Sequence, residues 1–266
     1  MSEVRGLLLA AGLGTRLRPL TKDCPKCLVP IGGRPLLDTW LCSLHRCGIS
    51  SVWVNLHHHR EMVESFLFRR PFRGWTNGVV EESLLGTAGT LRQNAGRLAN
   101  CRTLFAHADN WCQADMSVFL NFHEHHRPTG TVITMMTFRT DAPETCGIVE
   151  LDDLGIVRNF VEKPTLPSSS LANGAVYLLE PEVVDWVSKR PKVTDFSNQV
   201  IPHFVGRIAT WENKGIHRDI GTLSSLLAAQ ADPYPEPCWP QDDAWMLSYA
   251  RHPVHKALAN STASTQ

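Results

Sequence analysis

Glycines and basic residues lie close together near the start of the chain, where they could hold phosphate groups. Gly12 and Gly14 follow a short apolar run, and Arg16 and Lys26 come after them. Glycine lets a backbone approach a phosphate closely, and successive N–H groups can cradle it. Arg16 can make a forked pair with phosphate oxygens, and Lys26 can add a point charge. This loop therefore predicts a site for an anionic, phosphate-bearing ligand.

Two common phosphate-binding motifs do not fit this loop. The dinucleotide fingerprint needs a third glycine where Leu17 stands, and the P-loop needs a Gly-Lys-Ser/Thr sequence that is absent. A loop that only ends a strand tightly, with Arg16 in solvent, is the structural alternative.

Two carboxylates occupy positions typical of metal ligands. Asp109 follows the apolar run 103–107, and open α/β sheets keep their ligands at the carboxyl ends of strands. Asp219 precedes Gly221 and the predicted helix 223–231. Two carboxylates suit Mg²⁺, which otherwise uses waters and substrate phosphates. Helix capping is the structural alternative for each residue.

Three further segments carry polar groups that could bind a ligand. Glu162 and Lys163 precede a proline after a predicted strand, where Lys163 could reach an anion or simply lie on a surface turn. Asn173 begins another apolar stretch, and Gly86, Thr87 and Ala88 form a loop before a predicted helix.

The elements that must position these residues alternate along the chain. The apolar patterns predict a strand, loop, helix and strand at the start, which together form a βαβ unit. The predicted strands are 4–11, 51–56, 78–82, 103–107, 130–139, 147–151, 157–162 and 174–179, and the predicted helices are 35–47, 87–98, 116–126, 181–188 and 223–231. Residues 147–162 read as a hairpin around Asp152–Gly155.

Composition describes an ordinary globular chain of 266 residues with zero formal net charge and a pI near 7.2. A neutral chain has no global field that draws it to nucleic acid or membrane. No signal peptide or membrane span is evident, so we expect a cytoplasmic protein with its eight cysteines reduced. From residue 232 onward the chain is rich in proline and tryptophan, which predicts an extended arm and a frayed tail.

Cysteine and histidine clusters are further candidates for metal sites. Cys24 and Cys27 have C-x-x-C spacing, for which a zinc half-site and a redox dithiol are the functional alternatives. No second pair completes a zinc set, so we interpret them as small residues beside Lys26. Residues 57–59 read as a loop, and His123, His125 and His126 as a polar helix face.

Residues 9–21 and 25–30, Leu-Ala-Ala-Gly-Leu-Gly-Thr-Arg-Leu-Arg-Pro-Leu-Thr and Pro-Lys-Cys-Leu-Val-Pro, resemble the opening signature of the sugar-phosphate nucleotidyltransferases. The likeness continues in order to about residue 230. It implies an α/β fold with a Rossmann-like mixed, mostly parallel sheet flanked by helices, and a smaller hairpin-rich part that binds the sugar. The implied catalytic domain is 1–232, with a nucleotide-binding half (1–140), a sugar-phosphate half (141–232) and a C-terminal arm and tail (233–266).

The resemblance also implies roles for individual residues. Nucleotide binding would fall to the residues of two loops, namely Leu9, Ala10, Ala11, Gly12, Gly14, Thr15, Arg16, Lys26, Gly86, Thr87 and Ala88. Sugar-phosphate binding would fall to Asn110, Glu162, Lys163 and Asn173. The catalytic residues would be Arg16, Lys26, Asp109 and Lys163, and the Mg²⁺ ligands would be Asp109 and Asp219. Ala108 and Ala175 depart from the family pattern, which usually has glycine at both positions.

The implied reaction joins a sugar 1-phosphate to a nucleoside triphosphate and releases pyrophosphate. Leu85–Gly89 is most similar to the guanylyltransferases of the mannose and heptose 1-phosphate type, which favours GTP. A uridylyl- or thymidylyltransferase and a non-catalytic subunit that senses sugar nucleotides are the alternatives. We expect no nucleic-acid or membrane partner, and a homodimer is a candidate assembly.

Overall fold

The computed structural model describes residues 3–263. Its strands in chain order are β1 (Val4–Leu9), β2 (Pro30–Ile31), β3 (Arg34–Pro35), β4 (Val52–Leu56), β5 (Thr76–Val80), β6 (Arg102–His107), β7 (Asn110–Cys112), β8 (Ile133–Arg139), β9 (Gly147–Leu151), β10 (Val157–Glu162), β11 (Leu171–Leu179), β12 (Ile208–Glu212) and β13 (His217–Asp219). Its helices are α1 (Leu36–Arg46), α2 (Arg60–Leu67), α3 (Thr87–Gln93), α4 (Ala95–Leu98), α5 (Met116–His125), α6 (Pro181–Ser188), α7 (Ile201–Phe204), α8 (Leu223–Gln230), α9 (Ala244–Tyr249) and α10 (Pro253–Ala263).

Residue contacts divide the chain into two compact units whose segments alternate along the sequence. The first unit comprises the chain up to Leu7, Leu85–Ala106 and Ala114–Gly215. The second comprises Leu8–Leu84, His107–Gln113 and the chain from Ile216 onward. The predicted halves 1–140 and 141–232 concern which ligand each part binds, and that division stays a prediction.

The first unit is built on a mixed sheet. Its strands follow the order β10-β9-β11-β6-β1, with β8 beside β11 and β12 beside β8. The long strand β11 runs antiparallel to both β6 and β8, whereas β12 runs parallel to β8. The predicted hairpin is confirmed, because β9 and β10 pair antiparallel and Gly155 adopts a positive φ in the turn between them.

Helices α3, α4 and α6 pack together in the first unit, and α6 lies against β11. The sequence predicted one helix over 87–98, but the structure breaks it at Asn94. The Asn94 side chain is fully buried and donates to the Thr90 carbonyl at 2.9 Å. Asparagine side chains compete in this way for helical backbone groups, which explains the break.

His123 departs from the expected polar helix face, because it is buried on α5. Its Nδ1 lies 2.6 Å from the Thr134 hydroxyl on β8, and its Nε2 lies 3.3 Å from a Glu180 carboxylate oxygen. Burial lowers the pKa of His123 to about 4, and the neighbouring Arg127 guanidinium adds to this lowering. The buried imidazole is therefore neutral at physiological pH.

In the second unit, β4 lies between the end of β1 and β5, and β4 and β5 run parallel. Helix α2, which the sequence analysis did not predict, packs on both strands. The predicted helix 35–47 is confirmed as α1, and its apolar stripe is buried through Leu36, Leu37, Trp40, Leu41 and Leu44.

The segment after α8 differs from the expected arm and tail. Residues 233–243 form no helix or strand, as predicted, but α9 and α10 follow them. Met246, Tyr249 and Val254 are buried, so the helices have an apolar side that the proline-rich composition concealed. The last three residues of the expected tail lie outside the described residues.

Asp38 on α1 is the centre of the contacts that anchor this segment. It is fully buried, and it accepts from Arg34 at 2.6 Å, from Arg69 at 3.4 Å and from the Trp239 indole at 2.8 Å. Burying a carboxylate costs free energy unless its oxygens are paired with cations or accept hydrogen bonds. The segment after α8 therefore contributes to solvating a charge inside the second unit.

A disulfide joins Cys42 on α1 to Cys238 in the same segment. The expectation that all eight cysteines are reduced is thus wrong for this pair. The two residues are far apart in sequence, so their spacing gave no sign that packing would place their Cα atoms 5.6 Å apart.

The α/β fold with a sheet flanked by helices agrees with the sequence prediction. Within residues 3–263, no helix is both long and apolar enough to cross a membrane.

Candidate active site

The exit from β1 is held by a buried asparagine on the neighbouring strand. The Asn55 Oδ1 accepts from the N–H groups of Ala10 and Ala11, at 2.6 and 3.1 Å. Its Nδ2 donates to a Glu81 carboxylate oxygen at 3.0 Å. Sequence reasoning missed Asn55, although a polar residue inside the apolar strand β4 was a signal for it. The N–H groups of Ala10 and Ala11 are engaged, so these residues offer a ligand chiefly their carbonyl groups.

Glycines in the following loop allow close packing around the candidate phosphate-binding residues. Gly14 has a φ of +61°, and a Cβ there would meet the Thr21 side chain at 3.0 Å and Lys26 Cβ at 3.3 Å. The Thr21 hydroxyl donates to the Gly14 carbonyl at 2.6 Å, which fixes the turn. A Cβ on Gly12 would lie 3.8 Å from an Asp109 carboxylate oxygen. The loop thus leads directly to the predicted metal ligands.

Lys26 brings the two predicted metal ligands together. Its Nζ donates to Asp109 Oδ2 at 2.9 Å and to Asp219 Oδ1 at 3.2 Å. The Lys26 side chain is only 6% exposed, so its charge acts in a poorly solvated setting. It lies in a short 3-10 turn, Lys26–Leu28, which begins after Pro25. We call Lys26, Asp109 and Asp219 the carboxylate–lysine cluster.

Arg16 lies at the solvent side of this cluster. Its guanidinium is 3.5 Å from Asp219 Oδ2, and its side chain is 68% exposed. A Cβ on Gly221 would meet the same guanidinium at 2.6 Å, so glycine at this position leaves space for the arginine. An exposed arginine beside a half-exposed carboxylate is free to exchange that partner for an incoming anion.

The environment of Asp109 keeps its carboxylate charged. Burial alone would raise the pKa of Asp109, but Lys26 and His107 attract the carboxylate, and the hydrogen bond from Lys26 adds to this. The net result is a pKa below the usual value, so Asp109 is ionised at neutral pH. An ionised carboxylate is the form that binds a hard cation.

A two-stranded ribbon places Asp219 near Asp109. Strands β7 and β13 pair antiparallel, with Asp219 opposite Asn110, the residue after Asp109. The Asn110 carbonyl accepts from the Trp40 indole at 2.8 Å, which ties the ribbon to α1. Asp219 does not cap α8, because the Thr222 side chain fills that role. The capping alternative is therefore wrong for Asp219.

The carboxylate–lysine cluster fits a divalent cation of the magnesium type. Oxygens of Asp109 and Asp219 converge on a single point, now marked by the Lys26 ammonium group. Magnesium commonly binds one or two carboxylates and completes its shell with water and phosphate oxygens. No group of three or more His, Cys, Asp or Glu side chains in the described part of the chain is arranged to hold a metal. The cation would therefore depend on its ligand's phosphates.

Cys24 and Cys27 flank Lys26 as buried thiols. Burial raises the pKa of Cys24 to about 12, and it raises that of Cys27 further. Within the described residues, neither thiol belongs to a group of three or more side chains that could hold a metal ion, which agrees with their interpretation as small residues that pack beside Lys26.

The loop with Gly86, Thr87 and Ala88 lies in the first unit. Gly86 has a φ of +75°, and a Cβ there would meet the Thr194 carbonyl oxygen at 2.5 Å. The Ala88 N–H donates to the same carbonyl at 2.9 Å, and the Thr87 hydroxyl accepts from the Phe196 N–H at 2.7 Å. The loop is therefore fixed by the segment 194–196 and needs glycine at its first residue.

Lys163 adopts a backbone conformation that few residues other than glycine use. It follows Glu162, the last residue of β10, with a φ of +48°, and its N–H donates to the Cys146 carbonyl at 3.0 Å. Its side chain is exposed. Such a conformation is retained where the surroundings hold it, and it often marks a functional site.

Glu162 is half-buried beside Gly147 on the paired strand. A Cβ on Gly147 would meet a Glu162 carboxylate oxygen at 2.8 Å, so this glycine makes room for the side chain. Burial raises the pKa of Glu162, and the Asp195 charge adds to it, although Lys163 opposes the shift. Sequence reasoning missed Gly147 because it opens an ordinary strand.

Asn173 lies at an irregularity of β11, where the pairing with β8 shifts before Tyr177. Its Nδ2 donates to the Tyr177 hydroxyl at 2.7 Å, and its Oδ1 accepts from the Ala175 N–H at 3.0 Å. Ala175 has a φ of +52°, which explains why glycine would suit this position. Tyr177 was not among the predicted residues.

The predicted site residues thus fall into two groups, each within its own unit. Gly12, Arg16, Lys26, Asp109, Asn110 and Asp219 belong to the second unit, and Gly86, Thr87, Ala88, Glu162, Lys163 and Asn173 belong to the first.

The site combines a glycine-rich strand exit with an acidic pair and a buried lysine on an α/β sheet. This arrangement is typical of proteins that bind phosphate groups. The sequence profile described as "Nucleotidyl transferase" matches residues 5–234. The chain belongs to the nucleotidyl transferase family.

Curated relatives include three mannose-1-phosphate guanyltransferases. Those of Candida glabrata and Saccharomyces cerevisiae are each 28% identical to this chain, and the beta-A protein of Xenopus laevis is 29% identical. The matches cover 84–85% of this chain. The chain spans about 63% of the length of these relatives.

The structure also resembles a solved Bacillus anthracis protein, described as a glucose-1-phosphate thymidylyltransferase in complex with sucrose. The TM-score is 0.76 at 25% sequence identity, and the match covers 88% of this chain and 98% of that one.

Proposed function

We propose that this chain transfers a nucleoside monophosphate from a nucleoside triphosphate to a sugar 1-phosphate and releases pyrophosphate. The observation that carries the proposal is the carboxylate–lysine cluster at the exit of β1, with Arg16 beside it. Membership of the nucleotidyl transferase family supports the same reaction.

Charge neutralisation would be the main source of catalysis, because both substrates are anions. Arg16 and Lys26 would release Asp109 and Asp219 and turn to the triphosphate, where they stabilise the leaving pyrophosphate. The attacking phosphate is ionised at neutral pH, so no protein nucleophile or general base is required. Alignment of the two anions would supply the rest of the rate increase.

Asp109 and Asp219 would hold Mg²⁺, which when bound supplies positive charge next to the α-phosphate. Both residues present oxygens to one point, and Asp109 is ionised. Lys26 and Arg16 together balance the two carboxylate charges in the absence of a ligand, and Mg²⁺ would balance the same charges when the two residues turn to the triphosphate.

The nucleotide would lie along residues 9–16, with Lys26 at its phosphates and Gly86, Thr87 and Ala88 at its base and sugar. Asn110, Glu162, Lys163 and Asn173 would bind the sugar 1-phosphate, with Lys163 on the phosphate. The exposed Lys163 side chain and its fixed backbone support this role.

We propose GTP as the nucleotide and a mannose- or heptose-type sugar 1-phosphate as its acceptor. The three guanyltransferase relatives support this choice. The likeness to a thymidylyltransferase structure favours dTTP as the second candidate. A non-catalytic sensor of sugar nucleotides would not need Lys26, Asp109 and Asp219 together. A cytoplasmic location and a homodimer remain predictions.

The test is pyrophosphate release from a matrix of five nucleoside triphosphates and several sugar 1-phosphates, with Mg²⁺. We expect turnover with GTP and a mannose- or heptose-type 1-phosphate. Turnover with dTTP or UTP alone would contradict the nucleotide assignment. Binding of a sugar nucleotide without any turnover across the matrix would overturn the proposed reaction.

A further inference from the structure

The ribbon of β7 and β13 is tied from behind by one carboxylate. Asp232 follows α8 and is 9% exposed. Its Oδ2 accepts from the Trp111 indole at 3.0 Å and from Arg218 Nε at 2.7 Å, while its Oδ1 accepts from a second Arg218 nitrogen at 2.8 Å. Both donors belong to the ribbon, one on each strand.

Trp111 and Arg218 are direct partners in the antiparallel register. Paired residues point to the same face of a ribbon, and the next pair points to the other face. The next pair here is Asn110 with Asp219. Asp232 therefore binds the face of the ribbon opposite to the one that carries the Asp219 side chain, and it contacts both strands.

The two partners of Asp232 lie close in sequence to the two carboxylates of the carboxylate–lysine cluster. Arg218 directly precedes Asp219, and Trp111 lies two residues after Asp109. A ribbon of three residues per strand has few hydrogen bonds of its own, so its geometry depends on such side-chain contacts. Charge-assisted and bidentate contacts of the Asp232–Arg218 type are the strong ones.

We infer that Asp232 is a positioning residue for the divalent cation: through Trp111 and Arg218 it sets the separation of Asp109 and Asp219. This inference rests on the proposed function only in naming the cation that the two carboxylates hold. Outer contacts of this kind commonly change metal affinity or activity by 10- to 100-fold when they are lost.

The test compares Asp232→Asn with the parent chain in Mn²⁺ titrations at a fixed concentration of GTP, because the cation site is expected to be completed by phosphate oxygens. The electron paramagnetic resonance signal of free Mn²⁺ follows binding, and Mn²⁺ bound by GTP alone is subtracted. Asparagine keeps the shape of aspartate but removes the charge and one acceptor. We expect about 10- to 100-fold weaker Mn²⁺ binding. Asp185→Asn is the matched control, because Asp185 is an exposed carboxylate paired with Lys189. We expect it to bind Mn²⁺ like the parent.

A second readout separates positioning from general damage. The Mg²⁺ concentration for half-maximal turnover should rise in Asp232→Asn, while saturating Mg²⁺ restores most turnover and the KM for sugar 1-phosphate stays unchanged. Trp111→Phe, which keeps an aromatic ring but removes one donor, should shift Mn²⁺ binding in the same direction. In the double variant, the loss of Mn²⁺ binding free energy should be smaller than the sum of the losses in the two single variants, because both changes act on one contact.

Parent-like Mn²⁺ binding in folded Asp232→Asn would overturn the inference. If that variant does not fold, parent-like binding in Trp111→Phe would overturn it instead. A parent chain that binds no Mn²⁺ would overturn it as well. A parent that binds Mn²⁺ but releases no pyrophosphate would refute the proposed function alone, and the Mn²⁺ titrations would still decide the role of Asp232.

Discussion

Lys26 Nζ donates a 2.9 Å hydrogen bond to Asp109 Oδ2, although 83 residues separate them in the chain. The pair joins the glycine loop after β1 to the strand end after β6. Lys26 is nearly buried and holds Asp219 as well. The two carboxylates proposed to hold the cation are thus kept together by the residue that would have to give way to the cation and its phosphates.

Replacing either carboxylate by its amide should abolish most turnover without unfolding the chain. Asp109→Asn and Asp219→Asn each remove a charged ligand, which should cost several kcal/mol of transition-state stabilisation, or roughly a hundredfold or more in kcat. Pyrophosphate release at saturating Mg²⁺ measures the loss, and circular dichroism checks the fold. Asp153→Asn, in an exposed turn, is the control and should behave as the parent. Near-parental turnover in either test variant would refute the metal assignment.

Lys163→Ala and Arg16→Ala should affect different substrates. Loss of a charge-assisted hydrogen bond costs about 1.5–3 kcal/mol, or roughly ten- to a hundredfold in affinity. Lys163→Ala should raise the KM for sugar 1-phosphate and spare that for the nucleotide. Arg16→Ala should do the reverse and also lower kcat, because charge on the leaving pyrophosphate grows in the transition state.

Steady-state kinetics with each substrate varied in turn decides between these outcomes. Lys189→Ala serves as the control, since Lys189 is an exposed lysine of the first unit paired with Asp185. If Lys163→Ala raised the KM for the nucleotide and left the KM for sugar 1-phosphate unchanged, the two ends of the site would be assigned wrongly.

Removal of the Cys42–Cys238 disulfide should destabilise the chain. The cross-link closes a long loop, and loss of a native disulfide costs about 2–5 kcal/mol. Cys42→Ser should therefore lower the thermal midpoint, and reductant should lower the parent's midpoint but leave that of the variant unchanged. Cys47→Ser, which replaces a thiol outside the cross-link at the C-terminal end of α1, is the control. An equal effect of reductant on parent and Cys42→Ser would argue against the cross-link.

Ala175→Gly should not destabilise the chain, unlike most substitutions by glycine in a strand. A left-handed backbone costs an alanine about 1–2 kcal/mol, whereas glycine loses about 0.5–1 kcal/mol through the freedom of the unfolded chain. Urea unfolding should give an unchanged or slightly higher free energy. Ala172→Gly, in ordinary strand conformation on β11, is the matched control and should lose stability. A similar loss in both variants would contradict the strain at Ala175.

Acid should destabilise the first unit through His123. Its pKa falls from 6.5 to about 4 on folding, so the unfolded chain binds more protons between these values. The free energy of unfolding is therefore highest, as far as His123 is concerned, above pH 6.5, and it decreases as the pH falls towards 4. One pKa unit is worth about 1.4 kcal/mol, so roughly 3 kcal/mol is at stake. His123→Gln should flatten this part of the pH profile of unfolding, and the exposed His125→Gln should leave it as it was.

The sequence predicts the parts of the site that local pattern defines. The glycine loop directly follows one apolar strand, and Asp109 directly follows another. Each can therefore be predicted from its own local segment of the sequence. Lys26 is predicted from its charge next to that loop. The contact among Lys26, Asp109 and Asp219 follows only from tertiary packing, which no local pattern reports.

Short elements and buried polar contacts escape sequence reasoning for the same reason. Strands β7 and β13 have three residues each, too few for a periodic pattern to be visible. Asn55, Asp232 and Asp38 act through partners in distant parts of the chain. The sequence predicts His123 to be on the polar face of α5, but in the structure β8 packs against it and buries it.

The contacts of the buried Asp38 extend past the residues that the family profile covers. The family profile ends at residue 234, yet Trp239 and Asp243 lie beyond it and neutralise or solvate the Asp38–Arg69 pair. A chain cut at residue 234 would keep the buried Asp38–Arg69 pair but lose the Trp239 indole and the Asp243 carboxylate that bind it. We therefore expect a chain that ends at residue 234 to be less stable than one that extends past residue 243, because an unpaired buried charge is costly.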